Sequence, residues 1–381
     1  MAPIRIGIVG LSSSATTAWA SNAHLPYLLS PRGRSKFQIT ALLNSSVDAA
    51  QRAIAAYELP EGTKAYGSPS DLAADPDVDL VVVSTRVDTH YDAVLPSVEA
   101  GKDVYVEWPL AQDVAHGVEL ADAAKKAGGR TAVGIQGRTV PIHEKIRQLL
   151  KEGKIGKVLS SEAKAAGGSI DRDVLPTGLK YFADKAVGGN IVTIGFGHRK
   201  STRHFRICSV LGEATSLEAH SQIQRPQVRI RDPSTKEIVD TVTSTVPDLI
   251  ITTATIAPSD HVAENATLLA RFRRGQPFKG EPALVWSING EKGEIRVTSD
   301  ASTALQAGAE TSAVRIELHD FATDEVETVE WEWEGWQAEL PVWSRSIGRL
   351  YEDFAEGKAV PTFEEAVRRH EQLETILGAS S

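Results

Sequence analysis

Short apolar runs alternate with longer amphipathic stretches over the first third of the chain. Ile4 to Val9 reads as a buried strand. Gly10-Leu11 and a run of small polar residues from Ser12 to Thr17 follow, then a helical stretch from Ala18 to Leu29. Phe37 to Leu43 is a second strand, ending in Asn44-Ser45-Ser46. Asp79 to Thr85 is a continuous apolar run, the pattern of a strand buried on both faces of a parallel sheet. Arg86 to His90 makes a loop, and Tyr91 to Ala100 a helix closed by Gly101. Val104 to Val106 is a strand that leads into Glu107-Trp108-Pro109 and stops at the proline. Val114 to Ala127 is a helix, and Thr131 to Gly134 a further strand. Such alternation predicts a doubly wound parallel sheet, a Rossmann fold. Ligands of such sheets sit beyond the carboxyl ends of the strands, so Glu107 and Trp108 are expected to project into the cleft.

From Lys157 the pattern changes to long strands in succession: Val158 to Ala166, Thr215 to Ile230, Asn265 to Phe272, Ala283 to Asn289, Glu294 to Thr298, Ala313 to Asp320 and Val326 to Trp333. Asn289 to Gly293 reads as a hairpin turn. These predict a large, open, mostly antiparallel sheet in an α+β domain. Pro341 to Gly357 and Thr362 to Leu377 are amphipathic helices expected to pack back toward the first domain. The expected boundaries are 1–137 for the first domain and 138–381 for the second. The free face of the second sheet is expected to pair two copies of the chain. Trp331, Trp333, Trp336 and Trp343 cap a pocket on one reading and pack in a sheet face or interface on the other, the second being favoured.

Composition narrows the function classes. Of 381 residues, 41% are hydrophobic and the net charge is -9, which disfavours direct nucleic-acid binding. The single cysteine, Cys208, lies in an apolar run and reads as inert core, so no internal disulfide framework exists and a reducing compartment is expected. No apolar run reaches the ~18 residues of a membrane span. The opening strand leaves no room for a signal peptide. These place the protein in the cytoplasm, or the nucleus for a regulator. No metal site is expected.

The turn after the first strand has Gly7 and Gly10 but no glycine from Leu11 to Thr17, so the phosphate-binding fingerprint is weak. Ser12, Ser13 and Ser14 suit a phosphate at a helix N-terminus, where small neighbours and backbone N–H groups suffice. An ordinary βα turn is the alternative. Asn44-Ser45-Ser46 offers no carboxylate to a ribose 2′-hydroxyl, which favours NADP over NAD. Arg52 either reaches the 2′-phosphate or is a solvated helix residue.

A wider constellation is more specific: Ser84-Thr85, His90, Gly101-Lys102, Val106-Glu107, Pro109, Val133-Gly134, Gln136, Arg138, Pro141, Gly153 and Ile155-Gly156. Over nearly the whole chain it resembles the Gfo/Idh/MocA oxidoreductases. The resemblance implies a nicotinamide cofactor, NADP or NAD, held by Gly10, Leu11, Ser12, Ser13, Ser14, Trp19, Asn44, Ser45, Ser46, Ser84, Thr85, Arg86, His90, Glu107, Trp108, Pro109, Gln136 and Arg138. It also implies a Glu-Lys-Pro motif with a proton-transferring lysine, and here Trp108 takes the lysine's place. Gly188 to His198 resembles the helix that presents an aspartate and, four residues later, a histidine. His198 matches, with a satisfied structural histidine as its alternative, but Ile194 stands at the aspartate. A branch typified by fungal galactose-pathway repressors is nearer still, through Gly10-Leu11-Ser12, Trp19-Ala20, His24, Val106-Glu107-Trp108, Gln136-Gly137-Arg138, Phe196-Gly197-His198 and Val246-Pro247-Asp248.

Carbonyl reduction needs hydride at carbon and a proton at oxygen. Trp108 and Ile194 donate none, which leaves His198, Lys180, Tyr181 or a water. An iminium brings its own proton, and an indole beside it adds roughly 0.5–2 kcal/mol of cation–π attraction. The expected function is an NAD(P)-dependent oxidoreductase with an atypical site, acting on a small carbonyl or imine. The alternatives are a catalytically silent dinucleotide-binding regulator with a protein partner, or a non-redox lyase or cyclase on the same scaffold.

Overall fold

The apolar runs of the first third become six parallel strands. The computed structural model describes residues 2–12, 18–167, 171–194, 204–300, 302–303, 305 and 314–378, with backbone alone at 204–206. The strands are β1 (Ile4–Val9), β2 (Phe37–Leu43), β3 (Lys64–Tyr66), β4 (Leu80–Val83), β5 (Asp103–Glu107) and β6 (Thr131–Gly134), in spatial order β3-β2-β1-β4-β5-β6. This is the doubly wound topology, and its strand order reverses between β1 and β4. In this first sheet region β3, three residues long, and the helix Pro69–Ala74 were not visible in the hydrophobic pattern. The expected helix from Ala18 is a π-helical turn, Ala20–His24, followed by Leu25–Leu28, with a separate helix at Pro31–Lys36. Pro31 begins that next helix because proline suits the first helical turn.

The chain divides into two units. The first comprises Met1–Gln136, Val187–Gly189 and Glu334–Glu371, so the chain returns to its opening sheet after the second sheet is built. Helix α1 (Val342–Ala355) lies in this returning segment. Its Ile347, Leu350, Tyr351 and Phe354 join Ile6, Ile8, Tyr27, Phe37, Leu80, Val82 and Tyr105 in one buried cluster. Ahead of helix α2 (Phe363–Gly378), Pro361 accepts from the N–H of Val133 on β6 at 2.8 Å.

The second unit comprises Gly137–Ala186, Asn190–Trp333 and Gln372–Ser381. Its main sheet has eight strands in the order β17-β16-β15-β14-β7-β13-β12-β9. These are β7 (Val158–Gly167), β9 (Ala214–Gln222), β12 (Leu249–Ile256), β13 (Val262–Arg274), β14 (Leu284–Gly290), β15 (Gly293–Ser299), β16 (Val314–Asp320) and β17 (Glu325–Thr328). The β7–β13 pair is parallel and the other described pairs are antiparallel. Alternate residues of β13, Ala266, Leu268, Ala270 and Phe272, are buried, with Thr267 and Leu269 exposed between Ala266 and Ala270. That period of two marks a sheet with one covered face. The expected single strand Thr215 to Ile230 is two, β9 and β10 (Gln227–Arg231), parted at Pro226, which has no N–H for a ladder. Strand β10 lies in a small sheet between β11 (Ile238–Thr243) and β8 (Val174–Pro176). Trp336 and Trp343 pack at the edge of the first unit's core, and Trp331 and Trp333 pack in the second unit. Cys208 is buried. Among the described residues no helix is long and apolar enough to cross a membrane.

Candidate functional site

The site is the carboxyl edge of the six-stranded sheet, where the strand order reverses. The N–H of Gly10 reaches the carbonyl of Leu43 at 3.1 Å, and that of Ser84 the carbonyl of Val9 at 2.9 Å. Both bonds carry the ladder one residue past the strands. Gly10 has φ +95°, and a Cβ there would stand 2.5 Å from Thr85 Cγ2 and 2.6 Å from the Ser84 carbonyl oxygen. Only glycine allows this turn to press against the end of β4. Leu11 is buried behind it, while Ser84 and Thr85 are half-buried at the crevice. A glycine turn at a strand-order reversal, rimmed by hydroxyls, fits a dinucleotide. Ser13 and Ser14 lie outside the described residues, and Ser12 accepts from the Tyr57 hydroxyl through its carbonyl at 3.2 Å.

The end of β2 is braced, not open. The Asn44 amide donates to the Leu11 carbonyl at 2.8 Å and the Ala49 carbonyl at 3.4 Å, tying the Gly10 turn to the helix Val47–Ala56. Ser46 Oγ accepts from the Ala49 N–H at 3.1 Å as that helix's N-cap. The Asn44 amide is thus engaged, while Ser45 and Arg52 are exposed. The absence of a carboxylate at residues 44–46 stands. Arg86 turns its guanidinium to Asp88 through two bonds of 2.6 Å.

Glu107 and Trp108 do not project into an open cleft. Strand alternation sends Tyr105 and Glu107 to the same face, toward the buried cluster. Glu107 is 4% exposed. Its Oε1 lies 3.0 Å from His24 Nε2 and accepts from the Tyr105 hydroxyl at 3.0 Å. A Cβ at Gly134 would stand 2.7 Å from the same carboxylate, so glycine on β6 makes room for it. His24 Nδ1 meets the Tyr351 hydroxyl at 2.8 Å. The Tyr351 ring stacks between Tyr27 and Tyr105, both centroids at 5.5 Å. At the far end of the stack Tyr27 donates to Glu352 at 2.7 Å, which also pairs with Arg32 and Lys36. Two buried polar groups, Glu352–Tyr27 and Tyr351–His24–Glu107, are thus joined through the ring stack.

Trp108 is 3% exposed, its ring 4.9 Å from that of His370 on α2. His370 is 5% exposed with Nε2 unpartnered. Burial pushes its pKa down to about 4, against the opposing charge of Asp113. His90 is buried as well, with Nδ1 2.8 Å from the Pro109 carbonyl and Nε2 3.1 Å from the Thr85 carbonyl, and burial lowers its pKa. It locks the loop after β4 to the loop after β5. Trp19 packs edge-on against Trp343, centroids 6.1 Å apart. Gln136 is buried in the first unit; Arg138 belongs to the second.

Lys180 and Tyr181 also belong to the second unit. The Lys180 ammonium pairs with Asp240 at 2.7 Å on an exposed surface, and the Tyr181 ring lies 4.9 Å from Phe182. These are the partners in which the structure places the two proton-donor candidates. Ahead of Ile194, Asn190 Oδ1 accepts from the N–H groups of Val192 and Thr193 at 2.9 and 3.1 Å. His198 lies outside the described residues. Sequence reasoning missed Tyr351 and His370. The signal for His370 was its place on the apolar stripe Phe363, Ala366, Leu373, Leu377 of a helix.

His370 carries a pH dependence. The unfolded chain protonates this residue below pH ~6.5, whereas the folded state resists until about 4, so stability is intact above ~6.5 and falls on acidification toward 4. Between pH 7 and 5 the loss should be about 2 kcal/mol. Denaturant titrations of wild type and His370→Phe at both pH values check this; parallel losses in the two proteins would refute it.

A doubly wound sheet with a glycine turn at its reversal, joined to an open antiparallel sheet, defines a dinucleotide-binding Rossmann protein with a second α+β domain. Residues 4–135 match the model of the oxidoreductase family with NAD-binding Rossmann fold, and residues 141–299 match the Gal80p C-terminal domain. The chain belongs to the Gfo/Idh/MocA oxidoreductase family, in its Gal80p-like branch. Dehydrogenase aclE of Aspergillus oryzae is 33% identical over 304 residues, covering 77% of this chain and 76% of that protein. The galactose/lactose metabolism regulatory protein GAL80 of Saccharomyces cerevisiae is 28% identical over 310 residues, covering 80% and 68%. The crystal structure of a super-repressor mutant of Gal80p from the same yeast has the same fold, with a TM-score of 0.84 at 24% identity over 99% of this chain and 96% of that one.

Proposed function

We propose that this chain is an NAD(P)-dependent oxidoreductase that delivers hydride to a small substrate which needs no proton from the enzyme, an imine or iminium before a carbonyl. The carrying observation is the indole of Trp108, buried against His370, at the place of the family's lysine. The other groups described at the end of β5 are committed: Glu107 to His24 and Tyr105, His90 to two carbonyls, and His370 to its neutral form. When bound, the dinucleotide supplies the hydride. Gly10, Ser84 and Thr85 would hold it at the strand ends, and with no carboxylate after β2, NADP(H) binds at least as tightly as NAD(H). A homodimer through the open face of the second sheet, where Leu269 is exposed, completes the reading.

The match of residues 141–299 to the Gal80p C-terminal domain favours a second reading, a dinucleotide-binding regulator without turnover. Steady-state assays with NADPH and NADH against paired cyclic imines and their ketones separate the two. Imines should turn over at least about 100-fold faster than ketones, roughly 2.7 kcal/mol, with a pH profile that follows substrate protonation. Ketone reduction governed by a basic-limb ionisation would overturn the hydride-only reading. Tight dinucleotide binding with no oxidation by any substrate, and with dinucleotide-dependent retention of a protein partner, would favour the regulator.

A further inference from the structure

The end of β13 gathers arginines that the proposed function does not use. Arg271 and Arg273, two residues apart, share the open face of the sheet, while Phe272 and Arg274 turn to the other. Arg172 joins them: its Nη2 and that of Arg273 both donate to the Gln276 carbonyl, at 3.5 and 2.9 Å. Two guanidiniums thus converge on one neutral oxygen.

Among the described residues the nearby acids have other partners, though Glu281 still opposes the charge at Arg273. Glu281 pairs with Lys164 at 3.0 Å, and Asp173 with Arg229 at 3.0 Å. Asp248, from the Val246-Pro247-Asp248 motif, accepts from the Gln224 N–H at 2.6 Å and lies 3.7 Å from Arg225. The residues opposite Arg271 and Arg273 on the flanking strands are Ile251, Leu249, Lys164 and Ala166, none of them acidic. Nε of Arg273 is buried and unpartnered. Burial, together with the charges of Arg271, Arg172 and Arg225, lowers the Arg273 pKa. Like charges set together without a counter-charge are destabilising, and planar forks of N–H donors match tetrahedral oxyanions. The cluster is compact, and the chain's net charge of -9 argues against an extended polyanion.

We propose that Arg172, Arg271 and Arg273 form a binding site for a doubly charged oxyanion of the phosphate-monoester class. All three arginines belong to the second unit, and none of them carries the proposed function, so the site stands whichever functional reading holds. The test is calorimetric titration of the full chain with inorganic phosphate at low ionic strength, the first unit's site being saturated with NADP+. The wild type should bind one phosphate, and Arg271→Gln with Arg273→Gln should weaken it at least about tenfold. Arg229→Gln, whose guanidinium is paired with Asp173, should leave phosphate affinity unchanged. The Arg273→Gln protein should also melt higher than wild type without phosphate, because the repulsion is relieved; this readout survives if the double variant fails to fold. No saturable uptake by the wild type, undiminished uptake by the double variant, or saturation by succinate in place of phosphate would overturn the assignment.

Discussion

Replacing His24 by leucine should cost about 3–5 kcal/mol of stability, because it leaves the carboxylate of Glu107 buried without its imidazole. The side chains of the pair are 1% and 5% exposed, so water cannot take the place of the lost partner. Adding Glu107→Gln to His24→Leu should recover most of that loss, since a neutral amide is less costly to bury than a carboxylate. The double-mutant cycle should therefore give a coupling of at least about 1.5 kcal/mol, well above the ~0.5 kcal/mol expected of independent sites. Guanidinium unfolding of the four proteins measures it. Additive losses would mean that the two side chains do not stabilise each other.

Tyr351→Ala should be the most damaging truncation in the first unit. The ring is 1% exposed, lies parallel within 7° to Tyr27 and within 15° to Tyr105, and meets the Phe37 ring edge-on at 5.2 Å. Truncation of a buried aromatic costs about 3–5 kcal/mol, and the lost bond to His24 adds ~1 kcal/mol. Tyr351→Phe keeps the stack and should cost only that ~1 kcal/mol. Unfolding midpoints of both variants decide the matter. A loss under ~2 kcal/mol for the alanine variant would show that the neighbouring rings collapse into the space.

The parallel sheet was legible because its central strands are apolar on both faces. Leu80 to Val83 needs no partner to be recognised, and Gly10 and Gly101 punctuate the runs around it. Strand β12 was hidden because its threonines, Thr252, Thr253 and Thr255, break the apolar signal while still suiting a pleated surface. At the site, the substitution of tryptophan for the family lysine was plain in the sequence, but its burial was not. The direction of Glu107 was available in principle, since Tyr105 and Glu107 are two apart on one strand. What closes over them, Tyr351 and His370, lies more than two hundred residues further along the chain, beyond the reach of any local pattern.

The returning segment Glu334–Glu371 gives the first unit a history as well as a shape. A ribosome adding ~5–20 residues per second completes Gln136 and then spends roughly ten to forty seconds on the intervening chain before α1 emerges. Throughout that interval Tyr27, Phe37 and Tyr105 lack Tyr351, and His24 lacks the hydroxyl on its second nitrogen. The dinucleotide-binding sheet, translated ahead of the second unit, is thus sealed only after it. A fragment ending near residue 136 carries every strand of that sheet but not the segment that covers it, and only a chain that reaches Glu371 can bury it.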